Sequence, residues 1–275
     1  MDSHKANADE LILQDHVSQF LSSKARLKAP LISFLRRFKE RRLPAVIFGG
    51  TLRDLMVHGP RTEPRDVDIV VDGASIQDLA KLFEDVVVRR TRFGGLHLNV
   101  KGWMVDVWPL SDTWALRELR IGSRDFQALT RTTFLNVEAV VIDLTNRRRN
   151  GRQIYSSGFF EAIRTRILDI NLEENPFPDL SAIRTLVTAS TLRYGISKRL
   201  ARYVVRRLSS TPLEYLVEVQ LNHYGRARLD TDTIHAWLRV IRGQVNTQSV
   251  IRLPLEPEPT QLPLWKDYPD TARVA

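Results

Sequence analysis

The sequence predicts an α+β protein in which a mixed β-sheet with flanking helices is followed by an all-helical domain. Short segments rich in Val and Ile alternate with helical segments between residues 44 and 110, whereas residues 158–245 have helical apolar spacing. With 275 residues, 43% of them hydrophobic, the chain can bury a core in each part. We expect a helical lead-in (1–43), a sheet domain (44–145), a basic helical domain (146–250) and a Pro-rich tail (251–275).

The sheet domain is predicted from segments that lie in order along the chain. Residues 10–42 have the spacing of two amphipathic helices separated near Pro30. The run LPAVIFGG at 43–50 is a short strand that ends in paired glycines, and DVDIVVDG at 66–73 is a second strand. Residues 86–110 hold three β-prone pieces joined at glycines, which predicts a meander in the same sheet. In the second half, helices are interrupted at prolines and glycines, and the Pro-rich end is either a tail or a strap across the surface.

Composition excludes several classes of protein. The chain has no cysteine, so disulfides, thiolate metal sites and cysteine nucleophiles are excluded. No apolar run approaches the roughly 20 residues that cross a bilayer, and the polar start MDSHKANADE lacks the apolar stretch of a secretory signal. We therefore expect a cytoplasmic protein without a membrane partner. The six histidines have no ligand-like spacing and we assign none to a metal. We expect Trp103, Trp108 and Trp114 to lie in the core, the alternative being that they stack on a base.

Positive charge is concentrated in the second half of the chain. The formal net charge is +9, from 41 Lys and Arg against 32 Asp and Glu, and residues 146–210 contain 13 basic and five acidic side chains. A clustered positive surface attracts polyanions, above all nucleic acid. The alternative is an ordinary solvated helical face. Under the first interpretation, four basic residues of one helix would bind RNA: Lys198, Arg199, Arg202 and Arg206.

Three strand aspartates are the candidate catalytic groups. Asp66 and Asp68 are two residues apart on a predicted strand, so their side chains project from the same face. Their repulsion favours a bound cation, and oxygen ligands in a partly open site suit Mg²⁺. Asp106 lies between Val105 and Val107, so a neighbouring strand could bring a third carboxylate, and three acidic groups can hold two ions. The alternative is three solvated aspartates.

A glycine pair precedes these carboxylates. Gly49 and Gly50 stand between a predicted strand and a predicted helix, where the backbone can approach a phosphate and the helix N-terminus is directed at it. Alone, such a pair of glycines is common in ordinary turns and indicates no function.

Four motifs occur in a fixed order: Gly49-Gly50-x-x-Arg53-Asp54, Arg65-Asp66-Val67-Asp68-Ile69, Arg92-Phe93-Gly94-Gly95 and Val105-Asp106-Val107. In this order and at about these intervals they resemble the head domain of class II CCA-adding tRNA nucleotidyltransferases and bacterial poly(A) polymerases, members of the DNA-polymerase-β-like nucleotidyltransferase superfamily. The combination is far more specific than any single motif. The resemblance implies a nucleotidyltransferase head followed by a helical neck and body.

The resemblance also implies roles for individual residues. Asp66, Asp68 and Asp106 would be the catalytic and metal-binding carboxylates of a two-ion Mg²⁺ site. Contacts to the nucleoside triphosphate would come from six residues, of which the last two lie in segments of weaker similarity: Gly49, Gly50, Arg53, Asp54, Asn136 and Arg184.

The sequence departs from the family where the base of the nucleotide is read. The family reads the base with Glu-Asp-x-x-Arg or repeated arginines three apart on the neck helix, whereas here only Arg184 and Arg193 remain. Asp179 and Arg184 are five apart, so they do not stack on one helical face. The chain also ends about where such enzymes still need a body and a tail. We therefore expect a shortened relative with a different acceptor or nucleotide.

Three hypotheses about function follow. The first is transfer of a nucleoside monophosphate from an NTP to the hydroxyl of an RNA, such as a tRNA 3′ end, with release of pyrophosphate. The second is the same chemistry with a protein or small molecule as acceptor. The third is a non-catalytic RNA-binding module that has the head as a scaffold.

Overall fold

The computed structural model describes residues 8–22, 28–91, 94–119, 123–148 and 151–254. In these ranges the helices are α1 (Ala8–Ser22), α2 (Ala29–Glu40), α3 (Gly50–His58), α4 (Ile76–Leu82), α5 (Trp114–Glu118), α6 (Phe126–Leu129), α7 (Phe159–Thr165), α8 (Pro178–Leu192), α9 (Lys198–Leu208), α10 (Leu213–Tyr224) and α11 (Thr231–Gln244). The strands are β1 (Ala45–Phe48), β2 (Asp66–Val71), β3 (Val87–Arg90), β4 (Leu96–Val100), β5 (Trp103–Pro109), β6 (Val140–Arg148), β7 (Gly151–Ser156), β8 (Ile167–Leu168), β9 (Gly195–Ser197) and β10 (Val250–Ile251).

The first seven strands form one mixed sheet in the order β3-β4-β5-β2-β1-β6-β7. The β2–β5 pair is parallel, and the other neighbouring pairs are antiparallel. Lys101 and Gly102, at the predicted joint between β4 and β5, have φ angles of 50° and 96°, which suit a tight hairpin turn. The predicted α+β class, with a mixed sheet and flanking helices followed by helices, is confirmed.

The lead-in helices are part of the sheet domain rather than a separate region. Their apolar faces, which include Val17, Phe20 and Phe38, pack with Ile47 and Ile69 in one core. The rings of Phe34, Phe38 and Phe83 lie 4.9–5.6 Å apart. A smaller cluster that includes Val46, Val70 and Val141 covers the other face of the sheet. The sheet is therefore buried on both sides.

The sheet also extends farther along the chain than the sequence predicts. The boundary expected at 145 cuts through β6, and β6 pairs with β7 as far as Ser156. Arg147, Arg148 and Arg152, which were counted with the basic helical segment, thus lie on strands at the edge of the sheet. If the head domain is defined by the residues of this sheet, its boundary lies at Ser156 rather than at 145.

The second half consists of helices α8 to α11, which share a core of residues such as Ile183, Leu200 and Trp237. The short strands β8, β9 and β10 form a second sheet in the order β10-β9-β8. Ile251, placed in the tail by the sequence, is buried on β10. The rest of the predicted tail from 255, and Arg92 and Phe93 of the third motif, lie outside the described residues. No helix in the described ranges is long and apolar enough to cross a membrane.

We predict that Phe38→Ala lowers the free energy of unfolding by about 3–5 kcal/mol, because Phe38 is fully buried between two other rings and its removal leaves a cavity. Urea denaturation followed by circular dichroism measures the loss. Leu11→Ala on α1 is the control: Leu11 is 54% exposed, so its change should stay within about 0.5 kcal/mol. Equal effects of the two variants would contradict the packing described here.

Candidate active site

Strand pairing brings the three aspartates to one face of the sheet. β2 and β5 are parallel neighbours, with Asp66 opposite Met104 and Asp68 opposite Asp106. Because paired residues of neighbouring strands point to the same face, the carboxylates of Asp68 and Asp106 lie side by side. Val67 and Ile69 are fully buried on the opposite face. Alternation along β2 adds Asp66 to the same face as Asp68.

The carboxylates form a region of excess negative charge. Burial, and then the charges of Asp66, Asp106 and Glu138, raise the pKa of Asp68 well above its usual 3.8. Burial also raises the pKa of Asp106, although a hydrogen bond with Nδ1 of His97 opposes the shift. The cluster is therefore costly to bury without a compensating positive charge.

This donor set has the chemistry of a site for a hard divalent cation, because carboxylate oxygens are the ligands that Mg²⁺ prefers. Within the described ranges, no three His, Cys, Asp or Glu side chains are arranged so that they could bind a single ion together. Protein groups supply part of the compensation instead. Nη2 of Arg65 donates to Oδ2 of Asp66 at 2.6 Å, and Nε donates to the same oxygen at 3.0 Å.

The glycine loop lies directly beside these strands. Gly49 joins β1 to α3 with φ 69° and ψ −124°, a conformation that only glycine adopts readily. Its N–H donates to the carbonyl of Val140 at 3.0 Å. The hydroxyl of Thr51, in the first turn of α3, donates to the carbonyl of Asp66 at 3.0 Å. The N-terminus of α3, which begins at Gly50, is thus attached to the strand that carries Asp66 and Asp68.

A buried carboxylate connects the two halves of the molecule at this site. Glu138 lies in a 3₁₀ turn (Asn136–Glu138) and is 8% exposed. Its Oε1 accepts from Nη1 of Arg53 at 3.0 Å, and its two oxygens accept from Nη2 of Arg184 at 2.8 and 2.9 Å. Nε of Arg53 also donates to Asp54 at 2.8 Å. The network joins α3, the 3₁₀ turn and α8.

Charge compensation sets the protonation of Glu138. Burial alone would raise the pKa of its carboxyl, but the guanidiniums of Arg184 and Arg53 outweigh burial and hold the pKa below its usual 4.5. Arg184 also opposes the rise in the pKa of Asp68, so its positive charge acts on the aspartate cluster as well. Arg184 is therefore placed between the head and the helical domain.

The carboxyl end of α10 faces the same region. The ring of Tyr224 lies 5.9 Å from the guanidinium carbon of Arg65. Partial desolvation by the surrounding protein, followed by the charges of Arg184 and Arg65, lowers the pKa of His223 to about 4, although the residue keeps an exposed surface, so the imidazole is neutral at pH 7. Burial raises the pKa of Tyr224. Neither residue is singled out by the sequence motifs.

Asn136 has contacts that differ from the predicted role in nucleotide binding. Its Nδ2 donates to the carbonyl of Ile167 at 3.3 Å, and its Oδ1 accepts from the N–H of Asp169 at 3.0 Å. The amide therefore joins the 3₁₀ turn to β8, and these contacts give no support to a nucleotide contact. Glu138, two residues later, is the side chain of this segment that faces the site. The sequence signal for Glu138 is a carboxylate between two apolar residues, Val137 and Ala139, which are both buried in the structure.

The four predicted RNA-binding residues lie together on α9. Lys198, Arg199, Arg202 and Arg206 line a groove of about 390 Å³ with Glu173 and Tyr203. Nη2 of Arg206 donates to Glu173 at 2.6 Å, whereas Arg202 is exposed.

A second groove of about 530 Å³ shares Glu173, Arg199 and Tyr203 with the first and is also lined by Trp114 and Arg207. Trp114, expected in the core, thus contributes an aromatic side chain to a basic surface.

Comparisons with known proteins relate this geometry to a fold. No protein-family model and no curated protein sequence matches the chain. Among solved structures, the Thermotoga maritima CCA-adding enzyme in complex with tRNA is 16% identical, with a TM-score of 0.55 over 84% of this chain and 53% of that chain. A tRNA nucleotidyltransferase in complex with a primer tRNA and an incoming ATP analogue is 18% identical, with a TM-score of 0.55 over 76% of this chain and 60% of that chain.

A CCA-adding enzyme in complex with CTP is 17% identical, with a TM-score of 0.53 over 77% of this chain and 50% of that chain. This chain thus spans 50–60% of the length of these three structures. Since the matches cover most of this chain, they confirm the predicted resemblance at the level of the fold, a nucleotidyltransferase head followed by helices.

We predict that Glu138→Gln lowers the free energy of unfolding by about 1–3 kcal/mol at pH 7, because the guanidiniums of Arg53 and Arg184 lose their buried charged partner. A depressed carboxyl pKa stabilises the fold above the ordinary value of 4.5, and this stabilisation is lost as the pH falls through the lower pKa of the folded state. The advantage of the wild type over the variant should therefore shrink below about pH 4.5. Urea denaturation from pH 3.5 to 7 measures it.

The matched control is Glu118→Gln, which removes an exposed carboxylate paired with Arg117 at 2.8 Å. It should cost about 0.5 kcal/mol or less. A Glu138→Gln variant as stable as this control would show that the network does not hold the two domains.

Proposed function

We propose that the protein is a metal-dependent nucleotidyltransferase that moves a nucleoside monophosphate from an NTP to an RNA hydroxyl and releases pyrophosphate. The observation that carries the proposal is the parallel pairing of β2 and β5, with Asp68 opposite Asp106 and the glycine loop attached at Asp66. The likeness in fold to CCA-adding enzymes supports the same reaction class.

In this proposal the glycine loop and the start of α3 bind the triphosphate. Gly49 and Gly50 let the backbone approach the phosphates, and the α3 N-terminus offers N–H groups to them. Arg53 is held by Asp54 and Glu138 at the next turn of the helix and braces the loop. Asp66 and Asp68 would hold Mg²⁺, and Asp106 would add a third carboxylate beside them. A bound divalent cation would neutralise charge on the phosphates.

The reaction then needs a base and an in-line geometry. Asp106 would accept the proton of the attacking hydroxyl. The hydroxyl oxygen forms a bond to the α-phosphorus while the bond from that phosphorus to the pyrophosphate oxygen breaks. The hydrogen bond to His97 would orient the carboxylate of Asp106.

RNA is the proposed acceptor because a basic surface lies on the helical domain. The α9 groove is lined by four cationic side chains, which suits the phosphate backbone of a nucleic acid. Two of the similar solved structures are complexes with tRNA, so the 3′ end of a tRNA is the first acceptor to test.

The reaction is tested by incubating the protein with labelled NTPs, Mg²⁺ and total tRNA. Label on RNA supports the proposal. Label on a co-expressed protein, seen as a gain in intact mass, would support a protein acceptor instead. Thermal stabilisation by RNA but not by Mg²⁺ with NTP would favour a non-catalytic RNA-binding module.

We predict that Asp68→Asn lowers nucleotidyl transfer by about 100-fold or more, the scale on which single electrostatic contacts act in a transition state. The same change should raise the melting temperature of the ligand-free protein, because it removes one of several buried like charges. The matched control is Asp72→Asn, at an exposed position just after β2. It should leave transfer unchanged. Full transfer by Asp68→Asn would remove this carboxylate from the mechanism.

We predict that Arg202→Glu with Arg206→Glu weakens RNA binding and leaves NTP binding unchanged. Each lost phosphate contact should reduce the slope of log affinity against log salt by about 1, so the double variant should lose about 2. Filter binding of tRNA at several salt concentrations measures both quantities. The double variant Arg36→Glu with Lys39→Glu makes the same change in net charge on exposed positions of α2. If both double variants bind RNA equally, α9 is an ordinary solvated face.

A further inference from the structure

The carboxyl end of α10 has no role in the reaction described above. His223 and Tyr224 nevertheless face the site from the helical domain, on a helix that packs against α8. We propose that Tyr224 and His223 bind the base of the incoming nucleotide; this inference rests on the proposed function and names the residues that select its substrate. They would take the place of the arginines three residues apart that the family has on its neck helix and that α8 lacks.

The ring of Tyr224 is held in a defined position between cationic groups. It lies 5.9 Å from the guanidinium carbon of Arg65, just before β2, and 5.9 Å from that of Arg228, just after α10. The imidazole of His223 meets it edge to face at 4.5 Å. Tyr224 is half-buried and His223 is exposed, so the pair, termed the platform, keeps surface that a ligand can reach.

The platform is connected to the carboxylates by direct contacts. Arg65, beside the Tyr224 ring, donates two hydrogen bonds to the carboxylate of Asp66. From the other side, Arg184 and Glu138 are close enough to Tyr224 for their charges to act on its hydroxyl. A ligand on the platform therefore has its phosphates directed toward cationic side chains and the candidate metal ligands.

The chemistry of the two side chains suits a nucleobase. Every base has a π-face that stacks on a tyrosine ring, so Tyr224 would contribute affinity for all four nucleotides. An imidazole offers one N–H donor and one nitrogen acceptor, so His223 can distinguish bases by the groups on their edges. Tyr224 would thus supply affinity for any nucleotide, and His223 would supply the preference for one base over another.

The test separates base binding from triphosphate binding. Isothermal titration calorimetry with Mg²⁺ would measure the affinity of each of the four NTPs, and of inorganic tripolyphosphate, for the full-length protein and its variants. For Tyr224→Ala we expect the best-bound NTP to lose about tenfold or more in affinity, since stacking one base accounts for a change of about 5- to 150-fold. Tripolyphosphate affinity should not change. Tyr224→Phe keeps the ring and should bind NTPs as the wild type does.

The control is Tyr215→Ala, an exposed tyrosine near the other end of α10 and about 13 Å away along the helix. It should leave both affinities unchanged. His223→Ala should alter the ranking of the four NTPs and leave tripolyphosphate binding as it is. Thermal unfolding of each variant verifies that the fold is retained.

Two failures are distinguishable. A wild type that binds neither NTPs nor tripolyphosphate overturns the proposed function and this inference with it. A wild type that prefers its NTP to tripolyphosphate, together with a folded Tyr224→Ala that keeps this preference, overturns the inference alone. A loss of RNA affinity in Tyr224→Ala without loss of NTP affinity would likewise overturn it and assign the platform to the acceptor.

Discussion

Repulsion between carboxylates on neighbouring parallel strands is the constraint on which this site depends. The register that pairs Asp68 with Asp106 also buries Val67 and Val105 on the other face, so the acidic groups cannot move apart without breaking the core. Burial, and then the charges of Asp66, Asp106 and Glu138, raise the pKa of Asp68. Such an arrangement lowers stability and is retained where positive charge is brought to it.

The positive charge comes from both halves of the chain. Arg65 pairs with Asp66 at the end of β2, and His97 on β4 pairs with Asp106. Arg184 approaches from α8 and is bound through Glu138 to Arg53. Since the compensation for charges on the sheet comes partly from the helical domain, the site is complete only when the two parts are packed together. A change in their packing therefore changes the electrostatics of the carboxylates.

The likeness to solved nucleotidyltransferases covers most of this chain but only part of theirs. The sequence departs from the resemblance on α8, where Asp179 and Arg184 are five residues apart. In the structure Arg184 is bound to Glu138, and the ring of Tyr224 on α10 lies beside Arg65, which pairs with Asp66.

Much of the fold was predictable because its signals are local. Alternation placed Asp66 and Asp68 on one face of a strand, and apolar spacing identified the two lead-in helices, although Pro30 lies in the first turn of α2 rather than between them. The boundary at 145 was not predictable in the same way, since the pairing of β7 with β6 depends on contacts that leave no local pattern. The packing of the lead-in helices against the sheet was not predictable either, because it also depends on contacts between distant segments.

The sequence by itself determined the lead-in helices, the central strands and the helical second half, which strand face is acidic and where the backbone needs glycine, because these follow from short-range periodicity and backbone sterics. Only the tertiary structure decided that β5 lies beside β2, that Glu138 rather than Asn136 faces the site, and that His223 and Tyr224 reach it from a helix far along the chain. Those outcomes depend on contacts between elements that are far apart in the sequence. The surfaces that make these contacts form only when the chain folds, so no local pattern predicts them.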